Sequence, residues 1–247
     1  MRDTSSYVFF DFFPILPFLM ALSRIALTSY RADECYEPSD DTFLLADAIN
    51  DDLADALKSE YCNMLAVEVG CGSGYVCTSL ALNSPHIQVV ATDVNHLAAK
   101  HTAQTARNHK CSNNVDIVLC NGLDAFRTRR LFDVLMCNPP YVPTEEEEIY
   151  TTTPETTTNH NSVINAAFAG GEKGRLLVDS VLMPQLADYL WKEGRAYVVA
   201  LHENDVGEIQ QDAKARGLES QVVMERRADM ERLCVLRFTT TTTTTTL

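Results

Sequence analysis

Short apolar stretches at residues 64–69, 87–92, 115–120 and 134–137 alternate with longer segments, 75–82 and 95–109, whose apolar positions recur at helical spacing. Runs this short, rich in Val, Ile and Leu, suit strands buried on both faces, whereas a core helix is longer. Strands alternating with helices predict βαβ units, hence a parallel sheet with right-handed crossovers. Upstream, the stretch from Ser39 reads as a helix: Asp40 and Asp41 fill its first turn, where the helix dipole favours acids, and Phe43, Leu44, Ala48 and Ile49 supply an apolar face. Downstream the pattern predicts a helix over 174–191, a strand over 195–201, a helix over 204–216 and strands over 221–225 and 233–238.

Two strand ends carry candidate chemistry. The first strand runs into Gly70, Gly72 and Gly74 and then directly into a helix. Glycines at such a junction permit a tight turn and let a ligand approach the backbone beside a helix N-terminus. The second strand ends in Asp93, about 20 residues on, where an acid can reach ribose hydroxyls. Glu68 stands just before the loop and no basic residue lies within it. A dinucleotide's pyrophosphate is therefore disfavoured, and a cationic nucleoside suits the acids better. The fourth strand ends in Asn138-Pro139-Pro140-Tyr141. Prolines cannot donate to a sheet ladder, so Asn138 is left at the carboxyl end of the strand, the edge where open α/β sheets bind ligands.

Glu68-Val69-Gly70-Cys71-Gly72-Ser73-Gly74, Thr92-Asp93-Val94-Asn95 and Asn138-Pro139-Pro140-Tyr141 resemble the motifs of the HemK-like protein glutamine methyltransferases. Tyr36 to Thr42, Ala169 to Gly174 and Glu231 to Phe238 are more narrowly similar to the eukaryotic and archaeal branch acting on a class 1 translation termination factor. The resemblance covers roughly residues 33 to 238. It implies a class I S-adenosylmethionine-dependent methyltransferase fold, α/β and Rossmann-like, with a seven-stranded mostly parallel sheet in the order 3-2-1-4-5-7-6. It implies S-adenosyl-L-methionine held by Thr42, Glu68, Gly70, Gly72, Asp93, Asn121, Gly122 and Asn138. Asn121 stands where the family usually carries an adenine-binding Asp; it keeps an acceptor oxygen but loses the charge, and Asp124 could substitute at a shifted register.

The implied catalytic residues are Asn138, Pro139, Pro140 and Tyr141. An amide nitrogen is a poor nucleophile because its lone pair is delocalised. The Asn138 side-chain oxygen and the Pro139 carbonyl can accept both its N–H bonds, orient it and stabilise the positive charge that develops. Pro140 stiffens the turn, and Tyr141 would pack on the flat amide. Glutamine N5-methylation of a release factor is the favoured reading, with adenine-N6 methylation of nucleic acid and methylation of a lysine as alternatives that the same motif allows. The resemblance further implies a small zinc-binding activator subunit along the edge strand 115–120, which is apolar at nearly every position.

Charge narrows these choices. With 20 Lys and Arg against 34 Asp and Glu, the chain has a formal net charge of −14 and repels phosphate backbones at long range, so nucleic acid is disfavoured as a partner. Eight cysteines, several in apolar runs, read as reduced thiols in an intracellular protein, cytoplasmic with the nucleus as a second compartment. None of the histidines shows metal-ligand spacing. One methyltransferase domain, 33–238, is expected between an N-terminal extension, 1–32, and a disordered Thr tail, 239–247. The apolar stretch 7–22 is interrupted by Asp11, Pro14 and Pro17. A start misassigned ahead of Met20 is preferred there to a targeting signal, and a membrane span comes last.

Overall fold

The computed structural model describes residues 25, 34–54, 63–84, 86–127, 130–144, 170–228 and 231–241. Its elements are α1 (Asp40–Asp52), β1 (Met64–Val69), α2 (Tyr75–Asn83), β2 (Ile87–Asp93), α3 (His96–Asn108), β3 (Val115–Leu119) and β4 (Phe132–Cys137). They continue with a wide helical turn, Val178–Leu182, leading into α4 (Met183–Tyr189), then β5 (Leu190–Leu201), α5 (Val206–Ala215), β6 (Leu218–Ala228) and β7 (Glu231–Thr240). The extension 1–32 apart from Ile25, the acidic and Thr-rich stretch 145–158, and the Thr tail beyond 241 lie outside the described residues. Among the described residues no helix is long and apolar enough to cross a membrane.

The seven strands form one sheet in the order β3-β2-β1-β4-β5-β7-β6. β1, β2, β3, β4 and β5 run parallel, and β7 is inserted antiparallel between β5 and β6. Side chains alternate across a strand, and here each face feeds its own core. Val134 and Met136 of β4, Tyr197 and Val199 of β5 and Val235 of β7 pack with α1 and α2. Leu135, Cys137, Ala196, Val198, Cys234 and Leu236, their neighbours along the same strands, pack with α4 and α5. Burial on both faces explains why the central strands lack polar alternation; each large side chain so buried is worth about 1.5 to 3 kcal/mol.

The boundaries differ from expectation in informative places. β5 begins at Leu190, inside the segment expected to be helical, because Leu190 pairs with Phe132 ahead of a register shift in the β4–β5 ladder. β7 runs through Thr239 and Thr240, which pair with Arg195 and Glu219 or Leu218, so the Thr run contributes to the sheet before the described residues end. Helix α1 is fastened by its far end. Asp52 accepts from Arg195 at 2.9 Å, from the Tyr197 hydroxyl at 2.6 Å and from Arg237, while Asp47 pairs with Arg226 at 2.6 Å. These contacts span β5, β7 and β6, and they place the first turn of α1 over the carboxyl ends of the central strands.

The two sheet edges are dressed differently. β6 carries Glu219, Glu225, Arg226 and Arg227, charges that discourage edge-to-edge pairing. β3 has a single charged residue, Asp116, and leaves Leu119 57% exposed opposite Asp93, after which Val94 is 69% exposed.

Candidate active site

The glycine loop, Asp93, Asn121-Gly122 and Asn138 to Tyr141 follow β1, β2, β3 and β4 and therefore meet at one edge of the sheet. Thr92 ties three of these loops together. Its carbonyl accepts from the Gly70 and Cys71 amides, each at 2.9 Å, and its buried hydroxyl lies 3.1 Å from the Glu68 carbonyl and 3.2 Å from the Gly122 carbonyl. Gly70, Gly72 and Gly74 all adopt positive φ, at 76°, 51° and 77°. A Cβ on Gly70 or Gly72 would meet nothing within 4 Å, so those two glycines face open space, whereas on Gly74 it would lie 2.7 Å from Thr102 Cα. The third glycine thus serves close packing of α2 on α3, and the first two form a cradle.

Asp93 stands at the end of β2. Its two carboxylate oxygens accept from the Gly72 amide at 3.0 Å and the Asn95 amide at 2.8 Å, which fixes the side chain against the loop and leaves acceptor capacity on each oxygen. Burial raises its pKa, and hydrogen bonds from the Asn95 and Gly72 amides oppose that shift. Asn121 is exposed, and Gly122 at φ 53° passes so near Val181 that a Cβ would lie 2.6 Å from its Cγ1. Asp124 is exposed as well, its amide bonded to the Asn121 carbonyl in the same turn.

Glu68 is 3% exposed and accepts from the Cys77 amide at 3.0 Å, satisfying one of the unpaired N–H groups in the first turn of α2. Burial, chiefly, pushes its pKa up to about 8. Because the folded value lies above the ordinary one, the fold binds the proton more tightly than the unfolded chain does. The stabilisation is complete below pH 4.5 and is lost as pH rises toward about 8. The melting temperature of the protein, measured without added ligand, should fall across that window. Glu68→Gln, which keeps an acceptor for Cys77, should flatten the slope; equal slopes in wild type and variant would place the pH response elsewhere.

Asn138 sits at the carboxyl end of β4 between buried Cys137 and buried Pro139. Its Nδ2 donates to Asp41 Oδ2 at 2.9 Å, and its Oδ1 is buried with no hydrogen-bond partner among the described residues. An orphaned buried acceptor is costly and marks a place where a donor belongs. Tyr141 is partly buried, and its hydroxyl also donates to Asp41 Oδ2, at 2.9 Å. Its carbonyl accepts from the fully buried Asn204 at 2.9 Å. Asn204 also reaches the Lys173 carbonyl at 3.1 Å, and Gly174 passes so close to Tyr141 that a Cβ would collide with its carbonyl oxygen. The Gly170–Gly174 segment therefore braces the Asn-Pro-Pro-Tyr turn from behind, as do hydrogen bonds between it and Val142 and Thr144. Thr42 is buried with its hydroxyl 3.4 Å from the Ser39 amide, which donates to it, and 3.2 Å from Asp41 Oδ1, so it closes the start of α1.

A sheet in this order, with a glycine cradle after β1, an acid ending β2 and an Asn-Pro-Pro-Tyr turn after β4, defines a class I methyltransferase. Residues 46–154 match the methyltransferase small domain family. Methyltransferase HEMK2 of Homo sapiens is 38% identical over 83% of this chain and 90% of its own length. The eRF1 methyltransferase catalytic subunit mtq2 of Schizosaccharomyces pombe is 34% identical over 87% and 92%. The chain belongs to this HEMK2 and mtq2 family of methyltransferases. Among solved structures, the E. cuniculi Mtq2-Trm112 complex, described as responsible for methylation of the eRF1 translation termination factor, superposes with a TM-score of 0.58 at 22% identity, covering 84% of this chain and 99% of that one. The METTL16 methyltransferase domain superposes at 0.61 with 13% identity, covering 91% and 94%. At these identities the two structures speak to the fold.

Proposed function

We propose that the protein transfers the methyl group of S-adenosyl-L-methionine to the side-chain amide nitrogen of a glutamine in a peptide chain release factor. The observation that carries this reading is the buried Oδ1 of Asn138, without a hydrogen-bond partner among the described residues and held at the strand end by Asp41 and by two prolines. The cofactor's residues fit. Gly70 and Gly72 leave room for a close backbone approach, Asp93 offers acceptors to ribose hydroxyls and an acid to a cationic ligand, and Gly122, joined to the loop through Thr92, follows β3 beside exposed Asn121. Bound there, the cofactor supplies an electrophilic methyl on a sulfonium.

The chain's own residues do the rest. Asn138 Oδ1 accepts one N–H of the substrate amide and the Pro139 carbonyl the other, turning the nitrogen toward the methyl. As positive charge develops on nitrogen both bonds strengthen, which lowers the barrier with no base acting beforehand; the methylated nitrogen then gives up one of its two protons to water, and a neutral thioether is the other product. Pro140 holds the turn, and the Tyr141 ring offers a flat face to the amide. The METTL16 likeness is one of fold, and the net charge of −14 opposes a nucleic-acid substrate. Incubation with labelled S-adenosyl-L-methionine and cell extract tests the reading. Label removed by protease and resistant to nuclease is expected, and label removed by nuclease would overturn it.

The β3 edge supports a partner. Leu119, Val94 and the half-buried Ile117 and Val118 make an apolar margin, and the neighbouring E. cuniculi structure is a complex with Trm112. A Trm112-like activator would cover this margin in the cytoplasm without supplying catalytic groups. Residues 20–247, which keep the whole of β7, should aggregate or lose activity when expressed alone and recover both when the activator is co-expressed. A lone chain that is monodisperse and fully active would remove the need for it.

A further inference from the structure

Asp41 is 2% exposed and lies in the first turn of α1, yet it is tied to the catalytic turn by more than packing. Its Oδ2 receives three donors: Asn138 Nδ2 at 2.9 Å, the Tyr141 hydroxyl at 2.9 Å and the Tyr36 hydroxyl at 2.8 Å. Its Oδ1 receives the Thr42 amide at 2.6 Å, with the Thr42 hydroxyl at 3.2 Å. Burial and the nearby Asp41 charge raise the pKa of both Tyr36 and Tyr141, which keeps the two phenols protonated as donors.

From this geometry we propose that Asp41 is a positioning residue that sets the orientation of the Asn138 amide, so that its oxygen faces the substrate nitrogen. The inference rests on the proposed role of Asn138 in glutamine methylation. An asparagine amide is nearly symmetric in shape, and nothing steric decides which end faces the site. A carboxylate accepts only, so it takes the NH₂ end and leaves Oδ1 as the buried acceptor observed. Hydrogen bonding to a carboxylate also polarises the Asn138 amide and makes Oδ1 a stronger acceptor as charge develops on the substrate. The arrangement joins α1 to β4, so the catalytic acceptor is correctly turned only when the first helix is seated.

Asp41→Asn separates orientation from shape. The Thr42 amide holds the carbonyl end of the new side chain at the Oδ1 position, so its NH₂ faces Asn138 NH₂, and the Asn138 amide must flip and present a donor to the substrate. With S-adenosyl-L-methionine and recombinant eRF1, kcat should fall by about tenfold or more while the KM for the cofactor stays near wild type; the melting temperature should drop as well, because the Tyr36 and Tyr141 hydroxyls lose their shared acceptor. Adding Asn138→Asp restores an acceptor toward the substrate, because the NH₂ introduced at position 41 then donates to one carboxylate oxygen and leaves the other free, and the double variant should be several times faster than Asp41→Asn alone. If Asp41→Asn fails to fold, nitrogen-15 spectra of the wild-type protein decide. Slowly exchanging Asn138 side-chain NH₂ protons with nuclear Overhauser contacts to Tyr36 and Tyr141 are expected, and fast exchange without those contacts would overturn the proposal. A wild-type kcat for Asp41→Asn, or a double variant no faster than the single, would also overturn it. Wild-type turnover by Asn138→Ala would instead strike at the functional reading itself.

Discussion

Replacing Asn138 by alanine should lower turnover by about 100-fold or more while leaving cofactor affinity nearly intact. One preorganised acceptor aimed at developing charge is worth about 2.7 to 4 kcal/mol in the transition state and much less in the ground state. Structural damage should be modest, since among the described residues the Asn138 side chain bonds to Asp41 alone and the prolines behind it keep the turn. Calorimetry for S-adenosyl-L-methionine, set beside single-turnover kinetics, measures the two effects separately. Equal losses in binding and rate would make Asn138 a structural residue.

Asp93→Ala should act in the opposite sense, weakening cofactor binding by about 1.5 to 3 kcal/mol, or roughly 10- to 150-fold, with a smaller effect on the rate at saturating cofactor. Its carboxylate ends β2 and holds the Gly72 amide at 3.0 Å, so the variant loses both the proposed ribose contact and part of the cradle's order. A melting curve run alongside separates the two losses. Unchanged affinity would move the ribose contact to another group, Asn95, whose amide bonds the Asp93 carboxylate, being the first to examine.

The strands were legible because the physics behind them is local, whereas their order in the sheet came from the family resemblance. Buried parallel strands must read as short apolar runs, and a glycine loop or a proline pair marks where each central strand stops. β1 and the starts of α2, β2 and β3 fall where those rules place them. β5 was harder, because Trp191, Lys192 and Glu193 are exposed and only the pairing of Leu190 with Phe132 makes them strand.

The segments that the sheet brings to one edge were equally legible, since glycine, acid and Asn-Pro-Pro-Tyr residues each cluster within a few positions. The groups that brace them were not. Asp41 has an ordinary explanation as an acid in the first turn of a helix, and its partner Asn138 lies 97 residues away. Asn204 read as the start of a helix; it is instead buried in a short turn and bonds the Tyr141 carbonyl across 63 residues. Buried polar residues near helix starts are the one signal that could have drawn notice to either, and burial itself is decided by tertiary packing.

The most direct test is to methylate recombinant eRF1 with this protein, a co-expressed Trm112 protein and S-adenosyl-L-methionine, and to map the product by peptide mass spectrometry. One added methyl group on a glutamine side-chain nitrogen is expected, absent when Asn138→Ala replaces the wild type. Methyl found only on lysine, or transfer to a nucleic acid with eRF1 untouched, would contradict the proposed function.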